Sequence, residues 1–320
     1  MFYAFLACLV THPTIDLDAL DVFQEGPLAV HEDTLCLGRG TSCVLRYPDG
    51  RSVVLGRQGS GPGEFERIDL VSWSTADEAF LVYDGARGRL SVWGTDGRLR
   101  HEAGYTVNGD PRYLPVFLSS DTALVKDPDG EGFFLDGVDG RVRTRYSQLP
   151  ELDTHMSSQV TVNGRHMDIY YTWDPSYLVD LGPRIRAVCP NLGPTLYLFE
   201  GQAKTMKAVP FLLPRQPIDE ADVARVTEEF KDLFKTQNLK VDAPKFWPMV
   251  RTLVVDDQDR IWLFSYPAAG QVPYLRFDVA GTQNGKGEVR TVPLIIEGQK
   301  GYAYDRDEDR LVLHVIQMPR

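Results

Sequence analysis

Six histidines, His12, His31, His101, His155, His166 and His314, are the side chains best suited here to metal binding or proton transfer. None stands in an HxH, HxxxH or HExxH spacing, so no single strand or helix offers two imidazoles to one ion. A divalent metal would have to be held by residues from separate elements. His31, Asp84, Asp256 and Asp257 are the candidates, because each lies where an apolar run gives way to a turn. Acids in such places more often cap their own turns. No G-x-S-x-G elbow marks a nucleophile, which leaves only a triad built across distant segments. Aromatic rings cluster in HMDIYYTWDPSY and KFWPMV, where Tyr170, Tyr171, Trp173, Tyr177, Phe246 and Trp247 are the ligand-binding candidates. Such rings offer a sugar, peptide or aromatic ligand a broad apolar face with a polar tip, and they serve equally well as core.

The elements that must position these residues are strands. Helical periodicity is nearly absent, and short β-rich runs bounded by Gly, Asp, Asn and Pro recur along the chain, as in LAVHEDTLCL, EAFLVYDG and TLVVDDQDRIWLFS. A unit of apolar strand, acidic turn, strand and aspartate–glycine turn returns at about 40-residue intervals, the period of a propeller blade. Leu28 to Asp33, Leu70 to Thr75, Leu114 to Ser119, Arg186 to Asn191 and Leu253 to Gln258 read as equivalent inner strands, and Asp49-Gly50, Asp96-Gly97 and Asp139-Gly140 as late hairpins. Counting gives six units, the last short of one strand, which Leu20 to Gly26 would supply. Residues Asp219 to Thr236 break the pattern: Val223, Val226, Phe230, Leu233 and Phe234 share a helical face, and Asp219 is placed to cap it. The expectation is an all-β, six-bladed β-propeller with a short helical insertion, 217–240, between the fourth and fifth blades.

The segment GRQGSGPGEF (Gly56 to Phe65), continued through LVYDGARGRLSVWGTDGRL, resembles an NHL repeat of bacterial six-bladed β-propeller proteins. Arg57, Gly59, Gly61, Pro62, Gly63, Glu64, Phe65, Asp84, Arg89, Asp96 and Gly97 match that repeat, and VDDQDRIWLFSY resembles its late-blade pattern. The match covers about 45 residues in the second blade and roughly 60 near the carboxyl end, and the middle of the chain follows it poorly. The glycine-rich loop lacks the lysine and following helix of a phosphate cradle, and reads as a crossing between blades with Phe65 as anchor. The resemblance implies an exported bacterial protein, periplasmic or lipoprotein-like. It also brings in metal-dependent lactonases and lyases as the enzymatic alternative.

Composition trims the partners. Lysine and arginine total 34 against 45 acids, a net charge of −11, so a surface that neutralises nucleic-acid phosphates is not expected. Met1 to Val10 is apolar but far shorter than the roughly 20 residues that span a bilayer, and no transmembrane segment is expected. Residues 1–19 read as the remnant of an export signal and 20–320 as one propeller domain. Cys36 and Cys43 read as opposed across an Arg39-Gly40 turn, either bridged or as buried thiols. The function expected is a monomeric binding module using the propeller mouth, with a small molecule, glycan, peptide or protein partner and no cofactor beyond the metal alternative.

Overall fold

The structure is a computed structural model, described over residues 14–319 except 23, 76, 106–113, 119–121, 127–131, 137–157, 163, 170–176, 182–184, 191–192, 201–205, 269 and 308–309. It is an all-β propeller with one α-helix. By contact the chain forms two compact units, Met1–Asp129 with Leu135–Arg143 and Pro293–Arg320, and Gly130–Phe134 with Thr144–Val292.

The first unit holds three four-stranded antiparallel sheets. Leu28–His31, Thr34–Arg39, Ser42–Arg46 and Ser52–Leu55 form one, and Ile68–Ser74, Ala79–Asp84, Arg89–Gly94 and Leu99–Gly104 the next. The third runs Ile295–Glu297, Lys300–Asp307, Arg310–Gln317 and then Thr14–Asp16. The strand that completes this last sheet is therefore Thr14–Asp16, with Ile15 opposite Leu313. Leu20–Gly26, expected in that role, instead leaves a 3-10 turn at Asp18–Leu20. Leu17 and Val22 are buried on either side of the turn, which pins the segment to the core before Pro27 can extend it.

Burial within each sheet follows its place in a stack. Thr34–Arg39 is buried on both faces: Leu35 and Leu37 pack with Tyr302, Leu311 and Leu313, while Cys36 packs with Leu45, Leu55, Ile68 and Phe80. A strand in the middle of a blade must be apolar at every position for that reason, and alternation fails there. The fourth strands, Ser52–Leu55 and Leu99–Gly104, are largely exposed and carry Arg100, His101 and Glu102. Each fully buried Leu or Phe contributes about 1.5–3 kcal/mol.

The second unit repeats the design. Tyr177–Leu181, Ile185–Pro190, Thr195–Glu200 and Met206–Pro210 form one sheet, and Thr252–Val255, Ile261–Phe264, Val272–Phe277 and Gln283–Val289 another. Their shared core includes Ala187, Leu198, Leu253, Ile261, Leu263 and Phe277. Here the sequence reading slips by one strand, because Ile185–Pro190 is second in its sheet and Tyr177–Leu181 is first. Both runs are apolar and turn-bounded, so pattern alone ranks them equally. Leu114–Leu118, Thr122–Lys126 and Gly132–Asp136 make a three-stranded sheet. Among the described residues five sheets thus carry all four blade strands, against the six blades expected; Asp139-Gly140 lies outside the described residues.

The helix spans Glu220–Phe234, after Met206–Pro210 and before Leu239–Asp242 in chain order. Asp219 accepts the Asp222 N–H and Asp222 accepts the Asp219 N–H, a reciprocal capping box. Val226 and Phe230 are buried against Val162, Leu239, Val241 and Trp247. Leu233, assigned to that face from periodicity, is 62% exposed. The helix therefore covers a hairpin, Ser158–Val162 and Arg165–Ile169, extended by Leu239–Asp242.

Candidate functional site

Asp84 and Asp256 are held by their own turns. Asp84 is fully buried and accepts the backbone N–H groups of Glu66 (2.8 Å), Arg67 (3.2 Å) and Arg87 (3.3 Å). Asp256 accepts the N–H groups of Gln258 (3.0 Å) and Arg260 (2.9 Å) on one oxygen. Its other oxygen takes Arg260 Nε (2.6 Å) and the indole N–H of Trp262 (2.9 Å). Both of these candidate metal ligands cap their own turns. Asp257, beside Asp256, is an exposed turn residue. Among the described residues no group of three or more His, Cys, Asp or Glu side chains is placed to hold a metal ion.

His31 is different. It ends the first strand of its sheet, and the first strands Ile295–Glu297, Leu28–His31 and Ile68–Ser74 lie side by side within the first unit. Three strand ends therefore meet. The His31 ring stacks on Trp73 with centroids 3.7 Å apart and planes 9° apart, and Trp73 is propped edge-on by Phe80. Glu297 lies 3.9 Å from His31 Nδ1 and its carboxylate accepts the N–H groups of Glu32 (2.8 Å) and Asp33 (3.3 Å). Those two residues form a turn with φ of +47° and +60°, a left-handed pair that ordinarily goes to glycine or asparagine. Glu297 offsets the cost by taking one turn donor on each oxygen, and the oxygen that accepts the Glu32 N–H, Oε1, is the one beside the imidazole.

A second ionic group adjoins this turn. Asp33 accepts Lys300 Nζ and the Tyr302 hydroxyl (2.8 Å). The lysine bond first, and the tyrosine bond after it, hold the Asp33 carboxyl below the usual carboxylate range against some desolvation. Burial pushes the Tyr302 hydroxyl well up, reinforced by Asp33, so it stays a donor. The result is a stacked imidazole and indole edged by Glu297, with an Asp33–Lys300–Tyr302 pin beneath. His31 retains 31% side-chain exposure, enough for a ligand to reach its open edge.

The aromatic candidates divide. Tyr170, Tyr171 and Trp173 lie outside the described residues, and Tyr177 opens a first strand. Phe246 is 43% exposed and Trp247 half-buried. Trp247 stacks on Tyr266 at 4.5 Å and 13°, and its indole N–H donates to Asp222 Oδ2 on the helix (3.1 Å).

The glycine-rich loop serves itself. Arg57–Gln58 pairs in parallel with Glu64–Phe65, and Phe65 is fully buried. Glu64 accepts the Gly61 N–H (2.7 Å) and Arg57 Nε (2.8 Å), which hold its carboxyl below the usual range, and Glu102 accepts the Gly63 N–H (2.9 Å). Its amides are directed at its own Glu64 and at Glu102 of the strand Leu99–Gly104, as a structural crossing requires. Cys36 and Cys43 are buried free thiols. The turn falls at Gly40-Thr41, so Cys43 faces Gly38 and Cys36 faces Leu45, a diagonal pair rather than the opposed one expected. Burial and the Cys43 thiol push Cys36 well up.

Glu297, Lys300 and Trp73 escape a reading of motifs because they are far from His31 in sequence. One signal could have found them: Glu297 and Trp73 stand at or one residue from the end of a strand equivalent to Leu28–His31, and Lys300 opens the strand after the turn that follows Glu297.

No protein-family model matches this chain, and no curated protein matches it either. Solved structures do. A member of the DUF4221 family from Bacteroides vulgatus superposes with a TM-score of 0.53 at 11% identity, over 94% of this chain and 95% of that one. A protein from Bacteroides fragilis, provisionally described as exported, gives 0.46 at 12% identity over 93% and 91%. A streptogramin B lyase gives 0.43 at 10% identity over 95% and 97%. The first of these likenesses supports the fold, and at such identities the fold alone.

Proposed function

We propose that this protein is a ligand-binding module whose site is formed by the ends of neighbouring first strands. The observation that carries the reading is the His31–Trp73 stack beside Glu297. A planar apolar face, a carboxylate acceptor and an imidazole that can donate or accept, all on rigid strand ends, suit a small molecule, glycan or peptide that presents a ring or flat amide together with a hydrogen-bond donor. The Asp33–Lys300–Tyr302 group fixes the Glu32–Asp33 turn that Glu297 caps and is a positioning element.

The same reading takes the sheet beginning at Leu114–Leu118 as the third of six blades, counts residues 20–320 as one propeller of NHL type, and assigns a monomer exported from a bacterial cell. The NHL-like residues of Gly56–Phe65 and the 40-residue repeat support it. Cell fractionation and sedimentation test the last two points.

The binding claim is tested by thermal shift over a panel of saccharides, peptides and aromatic acids, on the wild-type chain and on His31→Ala. A ligand at 100 times its Kd adds about 2.7 kcal/mol of stability. The expectation is a ligand that raises the wild-type Tm and fails to raise that of His31→Ala. A ligand that shifts both equally, or a panel with no ligand at all, overturns the assignment of this site.

A further inference from the structure

The second unit carries a row of rings and cations that the His31 site does not use. Arg215 Cζ lies 5.5 Å from the centre of the Phe246 ring, and Arg251 Cζ lies 5.9 Å from that of Tyr266. Trp247 stands between, stacked on Tyr266 and tied to Asp222. The row is built rather than accidental. Phe246 bridges to Pro217, the Trp247 N–H donates to Gln216 O (2.9 Å), and Arg215 Nε donates to Trp247 O (3.4 Å), so two antiparallel segments hold the rings in order.

The charges are equally specific. Arg215, Lys245 and Arg251 are exposed, and among the described residues none of them has a carboxylate within ion-pair distance. The nearby acids are engaged: Asp219 and Asp222 cap the helix, and Asp222 also takes Trp247. In a chain of net charge −11, Arg215, Lys245 and Arg251 thus gather positive charge beside one exposed ring, Phe246, and the half-buried Trp247–Tyr266 stack. Exposed guanidinium groups laid over rings keep their forks free for a planar anion.

We infer that this row binds an acidic saccharide, with the uronate carboxylate on Arg215 or Arg251 and a sugar face on Phe246 or on the Trp247–Tyr266 stack. A carboxylate and a flat apolar ring face on one residue are what a uronic acid presents, whereas an acidic peptide separates the two. The inference deepens the binding-module reading by naming a ligand class, and it rests on different residues from the His31 site.

The test is titration of the full chain with an oligogalacturonate, followed by calorimetry and by tryptophan fluorescence, which senses Trp247. A neutral oligosaccharide of equal length and polyglutamate are the controls. Expected are binding that weakens as salt rises, no binding of the neutral sugar, and a loss of about tenfold in each of Arg215→Ala and Arg251→Ala. Phe246→Ala lowers affinity without changing the salt slope. His31→Ala binds as wild type, so failure here and failure at the His31 site are separable. Absence of binding, equal binding of polyglutamate, or unchanged affinity in both arginine variants overturns the inference. Each variant is exposed, and an unchanged melting curve confirms that it folds.

Discussion

Replacing Asp256 by alanine is the sharpest probe of how a turn within one blade is held. The carboxylate is fully buried and serves four donors: two backbone N–H groups of its turn, Arg260 Nε and Trp262 Nε1. Alanine abandons all of them, with unequal consequences. The turn at Asp257–Gln258 is exposed, so water can reach those N–H groups, and Arg260 retains 20% side-chain exposure. Trp262 is at 0% exposure, and its indole N–H is left unpaired in the core. An unsatisfied buried donor costs about 1–3 kcal/mol, and breaking a buried charge pair by removing one partner costs about 3–5 kcal/mol. The expected loss for Asp256→Ala is therefore about 3–5 kcal/mol, near the top of single-substitution effects. Asp256→Asn keeps the acceptor for the turn and turns an amide N–H toward the indole or the guanidinium, so it loses about 2 kcal/mol. Urea unfolding followed by tryptophan fluorescence reads both, provided m is unchanged. Trp262→Phe, made in the Asp256→Ala background, should cost about 1–2 kcal/mol less than in the wild type. A loss under about 1 kcal/mol for Asp256→Ala, or additive double-mutant losses, would refute the claim that this carboxylate is a structural cap.

Other consequences can be measured directly. Because Asp33 titrates below its ordinary value in the folded chain, its contribution is present above about pH 4 and fades as pH falls through the lowered value; acid titration of stability should be shallower in Asp33→Asn. At Gly56, φ is +69° and an added Cβ would sit 2.3 Å from Phe65 Cε2, so Gly56→Ala should lose about 2–4 kcal/mol in a thermal melt. Cys36, Cys43 and Cys189 are buried, and burial raises Cys36 and Cys189; a thiol reagent should label none of them in the native protein and all of them in urea. Loss of the capping box in Asp219→Ala should cost the helix about 1 kcal/mol, read by circular dichroism.

The propeller class was legible because its signals are local. Period, turn residues and the Gly56–Phe65 loop each depend on neighbours in sequence, and the helix declared itself by its cap and its spacing. The errors came where the answer depends on packing. Gly40-Thr41 and Arg39-Gly40 are equally good turns by residue type, and because Leu35, Cys36 and Leu37 are all buried no alternation of polar and apolar residues tells the two registers apart. Ile185–Pro190 was promoted to a first strand for the same reason. Of the site, His31 could be singled out by its strand-end position, but Glu297 and Trp73 join it through strand stacking, which leaves no trace in spacing. Asp84 and Asp256 looked like ligands because a cap and a ligand use the same side chain, and only the count of donors around the oxygens separates them.

The pairing of Thr14–Asp16 with Val312–His314 has a consequence in time. At a synthesis rate of about 5–20 residues per second, the first of these strands waits roughly 15–60 s on the ribosome for the second to be made. Throughout that interval the Ser52–Leu55 sheet can form while Ile15 and Leu17 have no mate and Lys300 has not been made to meet Asp33. The sequence guards the waiting strand with Asp16 and Asp18, charges that discourage a neighbouring nascent chain from taking the vacant edge. That sheet therefore cannot be completed before the carboxyl-terminal strand is made, and a chaperone that holds the amino-terminal segment would act on its yield more than on its final stability.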